Sequence, residues 1–144
     1  MKNTREEYRV FLDTSVLLSG LNSPNGASGL IISLFKVRKI DIVISPEVIE
    51  EAERVIQHKL QSLKTAFLDF LSDKPEITKR LTNVELKKTS FILFSEDTPI
   101  FAGAIKSRAD FLLTLDKDFQ KLTKGKTKCE VLTPGEFLVK YRAK

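Results

Sequence analysis

The sequence predicts an α/β protein, a three-layer α/β/α sandwich around a parallel sheet of about four to five strands, and three observations carry that prediction. Short runs rich in Val, Ile, Phe and Leu alternate with longer stretches of helical periodicity, the pattern of strands joined by crossover helices and covered on both faces. Pro46, Pro75, Pro99 and Pro134 each stand where a first helical turn would begin. The chain has 144 residues, 42% apolar and 30% charged, enough to bury roughly two-thirds of its unfolded surface as one domain over residues 1–144.

The elements follow in order. YRVFLD (8–13) reads as the first strand, with helical patterns over 14–21 and 27–39 behind it. DIVIS (41–45) is the second strand, followed by helical patterns over 46–59, 61–72 and 76–88. FILF (91–94) reads as the third. It leads through Ser95 and Glu96 to Asp97 and a helix over 98–108, with Thr98 and Pro99 as N-cap and first-turn residues. DFLLT (110–114) and CEVLT (129–133) complete the sheet, and a helix over 134–142 closes the chain. Between them KLTKGKTK reads as a surface loop, and Asp116 with Asp118 could belong to a plain turn before FQKL.

Composition narrows the function. The formal charge is +5, and residues 1–116 balance at 16 basic and 16 acidic side chains, so the whole excess falls in 117–144, with 8 basic and 3 acidic. Lys121, Lys124, Lys126 and Lys128 are its densest part, suited to phosphate or another polyanion, or else simply a solvated loop. Cys129, the sole cysteine, excludes an internal disulfide and a thiolate zinc cluster, and reads as a small buried hydrophobe. No apolar run reaches the roughly 18 residues of a membrane span, and MKNTREEYR is polar where a signal peptide would be apolar. The expected location is the cytoplasm. His58, the lone histidine, reads as a surface residue and supplies no zinc set.

In open parallel sheets ligands bind beyond the carboxyl ends of the strands. Asp13, with Thr14 and Ser15 behind it, follows the first strand there; Asp97 follows the third; Asp116, with Asp118 two residues on, follows DFLLT. Asp41 and Asp110 precede their strands and fall at the opposite edge. In the helix after DIVIS, Val48, Ile49, Ala52, Val55 and Ile56 form one apolar arc. Glu50 points away from that arc, and either Glu51 or Glu53 flanks it closely enough to lean over the sheet edge. Each acid alone could be a helix cap. Several at one edge would repel each other, and an oxygen-only cluster is relieved by Mg²⁺ or Mn²⁺. Such an ion, with lysines nearby, suits hydrolysis of a nucleic-acid phosphodiester.

VFLDTSVLLSGL, SPEVIEEAERVI and EDTPIFAGAIKSRADFLLTLDKDF, in this order and spacing, resemble the PIN domain family, especially single-domain bacterial and archaeal members of the VapC-like toxin kind. The resemblance spans about residues 9 to 138. It implies a Mg²⁺- or Mn²⁺-dependent endoribonuclease whose acids fall on Asp13, Glu51, Asp97 and Asp116. Asp13, Asp97 and Asp116 would hold the metal with Asp118 as an accessory, and Glu51 would complete the cage or orient the attacking water. Ser15 stands where many members have Asn, and Thr114 matches the polar residue before the last acid; both would orient the ligands. The implied partners are single-stranded RNA, an antitoxin protein and a second copy in a homodimer. Lys121, Lys124, Lys126 and Lys128 would meet the RNA backbone. The second reading keeps the fold as a binding module without turnover. A phosphotransfer domain fits worse, because Ser15 stands where such a site needs a second acid. The chain also lacks a G-x-x-x-x-G-K-[ST] phosphate loop.

Overall fold

In the computed structural model, which describes residues 7–90 and 98–143, strand β1 (Arg9–Leu12) lies at the centre of a five-stranded sheet. Its neighbours are β2 (Asp41–Ile44) and β4 (Phe111–Leu113), flanked in turn by β3 (Glu76–Ile77) and β5 (Glu130–Leu132), in the order β3-β2-β1-β4-β5. Every pairing is parallel, with Leu12 opposite Leu113 and Leu113 opposite Leu132. The strands read as near-continuous apolar runs because both faces are covered: Val10, Phe11, Leu12, Leu112 and Leu113 are all fully buried.

Right-handed crossovers divide the helices between the faces. One face carries α1 (Thr14–Asn22), α2 (Ala27–Lys36), α3 (Pro46–His58) and α4 (Lys64–Ser72), and α8 (Pro134–Arg142) packs beside α2. The other carries α5 (Asn83–Ser90), α6 (Thr98–Ser107) and α7 (Lys117–Thr123). Phe101 of α6 meets Phe119 of α7 edge-on, with ring centroids 6.1 Å apart. Gly103 brings α6 close to the sheet: a Cβ there would lie 3.1 Å from Phe11 Cζ. No described helix is long and apolar enough to cross a membrane.

Three elements differ from expectation. The helical pattern at 76–88 divides: Glu76 and Ile77 pair with Val43 and Ile44 as an edge strand, and the helix begins only at Asn83. Arg9 holds that strand, its Nη1 and Nη2 donating to both Glu76 oxygens at 2.5 and 2.6 Å. Thr82 and Glu85 bond reciprocally to start α5. The turn expected before FQKL is instead the first turn of α7, capped by Asp116. The helix expected to run to residue 39 ends at Lys36, where Arg38 turns the backbone left-handed at φ 65°. The expected strand FILF and Asp97 lie outside the described residues.

Candidate functional site

The site is built where β1, β2 and β4 end. Asp13 continues β1, its N–H donating to the Leu113 carbonyl at 3.1 Å, so its carboxylate emerges at the sheet edge. Oδ1 caps α1 by accepting from the Val16 N–H at 3.0 Å and takes a second bond from the Ser15 hydroxyl at 2.6 Å. Ser15 therefore does hydrogen-bond the first acid. Half-burial pushes the Asp13 carboxyl above the usual carboxylate range, opposed by hydrogen bonds from Ser15, Thr114 and Val16.

Thr114 is fully buried, and its hydroxyl joins the two strand ends. It accepts from the Asp116 N–H at 3.0 Å and stands close enough to the Asp13 carboxylate to favour its charged form. Asp116 Oδ1 then accepts from the N–H groups of Asp118 and Phe119 at 2.9 and 3.1 Å, capping α7. One hydroxyl thus ties the carboxylate after β1 to the backbone that carries the carboxylate after β4. Asp118 is exposed in the first turn of α7.

The third contribution comes from α3, started by the fully buried Ser45, whose hydroxyl accepts from the Val48 N–H, with Pro46 in its first turn. Val48, Ala52 and Ile56 face the core as the helical phase predicts. Of the two candidates on the flanks, Glu51 reaches the edge: its Oε1 accepts from the Thr14 hydroxyl at 2.7 Å. Glu53 is exposed and lines a cavity of about 670 Å³ with Gln57, Gln61 and Lys64, away from Asp13. Glu50 is not simply solvent-facing. It pairs with Arg80, whose Nη1 is also 3.9 Å from Glu47 Oε2, and this arginine holds the Glu50 carboxyl below its usual range.

Thr14 is the residue that sequence reasoning missed. It is 6% exposed and stands between Asp13 in the chain and Glu51, to which its hydroxyl donates; the one signal for it was a polar side chain directly after the first acid. The lysines are placed differently from expectation. Lys124, Lys126 and Lys128 lie past the C-terminal end of α7 and before β5 begins, which in a parallel sheet is the amino edge, opposite Asp13 and Asp116. Asp110 is at that same edge, where it accepts the Arg9 N–H at 2.8 Å. Cys129 is buried, and burial pushes its thiol up to about 12. His58 is exposed.

Asp13, Asp116 and Glu51 offer oxygen alone, which suits a hard cation that keeps several waters. Among the described residues no three His, Cys, Asp or Glu side chains stand together closely enough to hold an ion unaided, so waters or phosphate oxygens would complete its shell.

A doubly covered parallel sheet with carboxylates at its carboxyl edge places the chain in the α/β class, in which ligands generally bind beyond that edge. The PIN domain family model matches residues 9–118, and the chain belongs to that family. PIN domains are typically nucleases and generally use divalent metals. No curated protein sequence matches this chain. Among solved structures it is similar to PAE2754 from Pyrobaculum aerophilum, with 16% identity over 99% of this chain and 100% of that one and a TM-score of 0.68. It is also similar to a chain of VapBC2 from Rickettsia felis, solved bound to a promoter DNA fragment, with 18% identity, coverage of 85% and 96%, and a TM-score of 0.65. A third, VapC20 from Mycobacterium tuberculosis, described as a toxin that cleaves the sarcin-ricin loop, shares 17% identity over 84% and 98% with a TM-score of 0.55. At these identities the likeness is one of fold.

Proposed function

We propose that the protein is a Mg²⁺- or Mn²⁺-dependent endoribonuclease acting on single-stranded RNA, the toxin of a pair with an antitoxin protein, and a homodimer. The observation that supports this best is the fully buried Thr114 hydroxyl, which accepts from the Asp116 N–H and stands beside the Asp13 carboxylate. A fold using these acids only as caps has no need to bring a half-buried carboxylate of raised pKa to a second strand end. The family membership and the VapBC2 and VapC20 likenesses support the nuclease and antitoxin parts.

Asp13 and Asp116 would hold the ion, with Asp97, which is outside the described residues, and Asp118 as further ligands. The ion when bound supplies a water of lowered pKa and neutralises charge on the phosphate. Ser15, Thr114 and the Val16 N–H fix the Asp13 carboxylate, so it need not reorganise when substrate arrives. Glu51, whose Oε1 accepts from the Thr14 hydroxyl, would complete the cage or orient the attacking water.

The test is cleavage of a labelled single-stranded RNA with Mn²⁺ and with EDTA. Wild-type protein should cleave with Mn²⁺ alone, and Asp13→Asn and Asp116→Asn should not. Cleavage that persists in both variants would remove the acid edge from the mechanism. No cleavage by wild type, with RNA binding retained, would favour the binding module.

A further inference from the structure

The helix α7, absent from the sequence reading, gives the basic segment a geometry. Lys117, Lys121 and Lys124 fall at i, i+4 and i+7, one face of the helix, and all three are exposed. Lys117 stands beside Asp116 at the carboxyl edge, Lys124 closes the helix at the other end, and Lys126 and Lys128 follow in the exposed loop. The basic row therefore runs the depth of the sheet. From Glu130, where β5 begins just after Lys128, to Thr133, the residue level with Asp13 across the sheet, is three steps of extended chain, roughly 10 Å.

None of these five lysines makes an ion pair with a described residue, although Asp116 and Asp118 flank Lys117 and Lys117 acts electrostatically on Glu136. Glu130 pairs with Lys140 at 3.5 Å, Glu136 accepts from Gln120 and from the Thr133 N–H, and Asp110 accepts the Arg9 N–H. From Lys121 to Lys128 the row thus carries an excess of positive charge, the arrangement that releases counterions from a polyanion.

We propose that Lys117, Lys121, Lys124, Lys126 and Lys128 form a track along which the backbone of an RNA leads away from the acid edge to the opposite edge of the sheet. The proposal rests on the nuclease reading and adds to it that substrate is held far beyond the cleaved bond. Two observations bear on what the row contacts. Phe119, the aromatic of this segment, is 2% exposed, so no ring is offered for stacking bases and nucleic-acid contacts there would be to phosphates, as the nuclease reading requires of an RNA led away from the acid edge. Leu122 is the large apolar side chain exposed within 117–130, too little for the apolar centre a stable acidic protein partner would require.

The experiment measures RNA binding by fluorescence anisotropy in EDTA, so that cleavage plays no part, using a single strand of about 20 nucleotides. In Lys121→Ala/Lys124→Ala the slope of log K against log[salt] should flatten by about 1.4, taking about 0.7 per phosphate contact. Lys121→Arg/Lys124→Arg should restore the slope. An unchanged slope overturns the track. So does full RNA affinity with lost affinity for polyglutamate, which assigns the row to an acidic protein. Failure of wild type to bind the strand would sink the nuclease reading as well, whereas wild-type binding with an unaltered variant slope sinks the track alone.

Discussion

Replacing Thr114 by Val keeps shape and burial while removing one hydroxyl, so its consequences isolate the bridge between the strand ends. The Asp116 N–H, partly buried, loses its acceptor at 3.0 Å, and the Asp13 carboxylate loses one donor. A buried group left unpaired costs about 1–3 kcal/mol, and a hydrogen bond to a charged group contributes about 1.5–3. Together, about 2–4 kcal/mol is expected, since Ser15 and Val16 still serve Asp13. At about 3 °C per kcal/mol for a chain this size, the melting temperature should fall by about 6–12 °C. The loss should also depend on pH. Burial raises the folded-state pKa of Asp13 above its ordinary value, so its favourable contribution is complete at acid pH and is lost as pH rises through that folded pKa. Removing a donor that serves the charged form makes this loss steeper, so the gap between Thr114→Val and wild type should be widest at neutral pH and shrink on acidification. Thermal unfolding followed by circular dichroism from pH 4 to 8 measures it. Thr114→Ser, which keeps the hydroxyl, should cost only about 1 kcal/mol for the missing methyl. A Val variant within about 0.5 kcal/mol of wild type, or a Ser variant as unstable as Val, would refute the bridge.

Asp13→Asn keeps an N-cap side chain and removes a half-buried charge, so without metal it should melt at or above wild type at neutral pH. Saturating Mn²⁺ should then stabilise wild type, by about 2.7 kcal/mol at a hundred times Kd, and leave the variant unmoved in calorimetry. Glu51→Gln retains an acceptor for Thr14, so it should fold normally while losing most RNA cleavage; Glu50→Gln, which loosens only the exposed Arg80 pair, should keep it. Glu76→Gln should cost at most about 1 kcal/mol, because Glu76 is half exposed. Arg9 lowers the Glu76 pKa, so that contribution is present above the ordinary carboxylate range and should vanish as urea melts are moved to lower pH.

What could be read in advance followed from local pattern. Strands such as RVFL and DIVI are buried on both faces and announce themselves as apolar runs, and Ser45-Pro46 marks the start of α3 unaided. The same periodicity places Glu51 on a flank of the core but cannot say that Thr14 would hold it, because that bond joins residues far apart in sequence. β3 was illegible for a related reason: two residues, one charged, owe their pairing to Arg9 and to β2 rather than to any property of their own. α7 is too short to display a period, and with it missing the lysines could be counted but not assigned to an edge. Seen as a helix, Asp116 has one duty as its cap and, in the proposed nuclease, a second as a metal ligand on the same carboxylate.

The two-residue length of β3 and the three-residue length of β5 also bear on how the chain behaves in a crowd. A parallel sheet this apolar offers its outermost strands as templates on which another molecule could add a strand and continue into an aggregate. At β3 the available template is scarcely one repeat long, and Arg9 ties it down from within the same molecule. At β5 the outward carbonyl of Val131 already accepts from the Gln120 side chain at 3.2 Å. Lys126 and Lys128 stand just upstream as charged gatekeepers. Both ends of the sheet are thereby closed to recruitment, and replacing Gln120 with a residue that cannot donate would reopen the longer of the two.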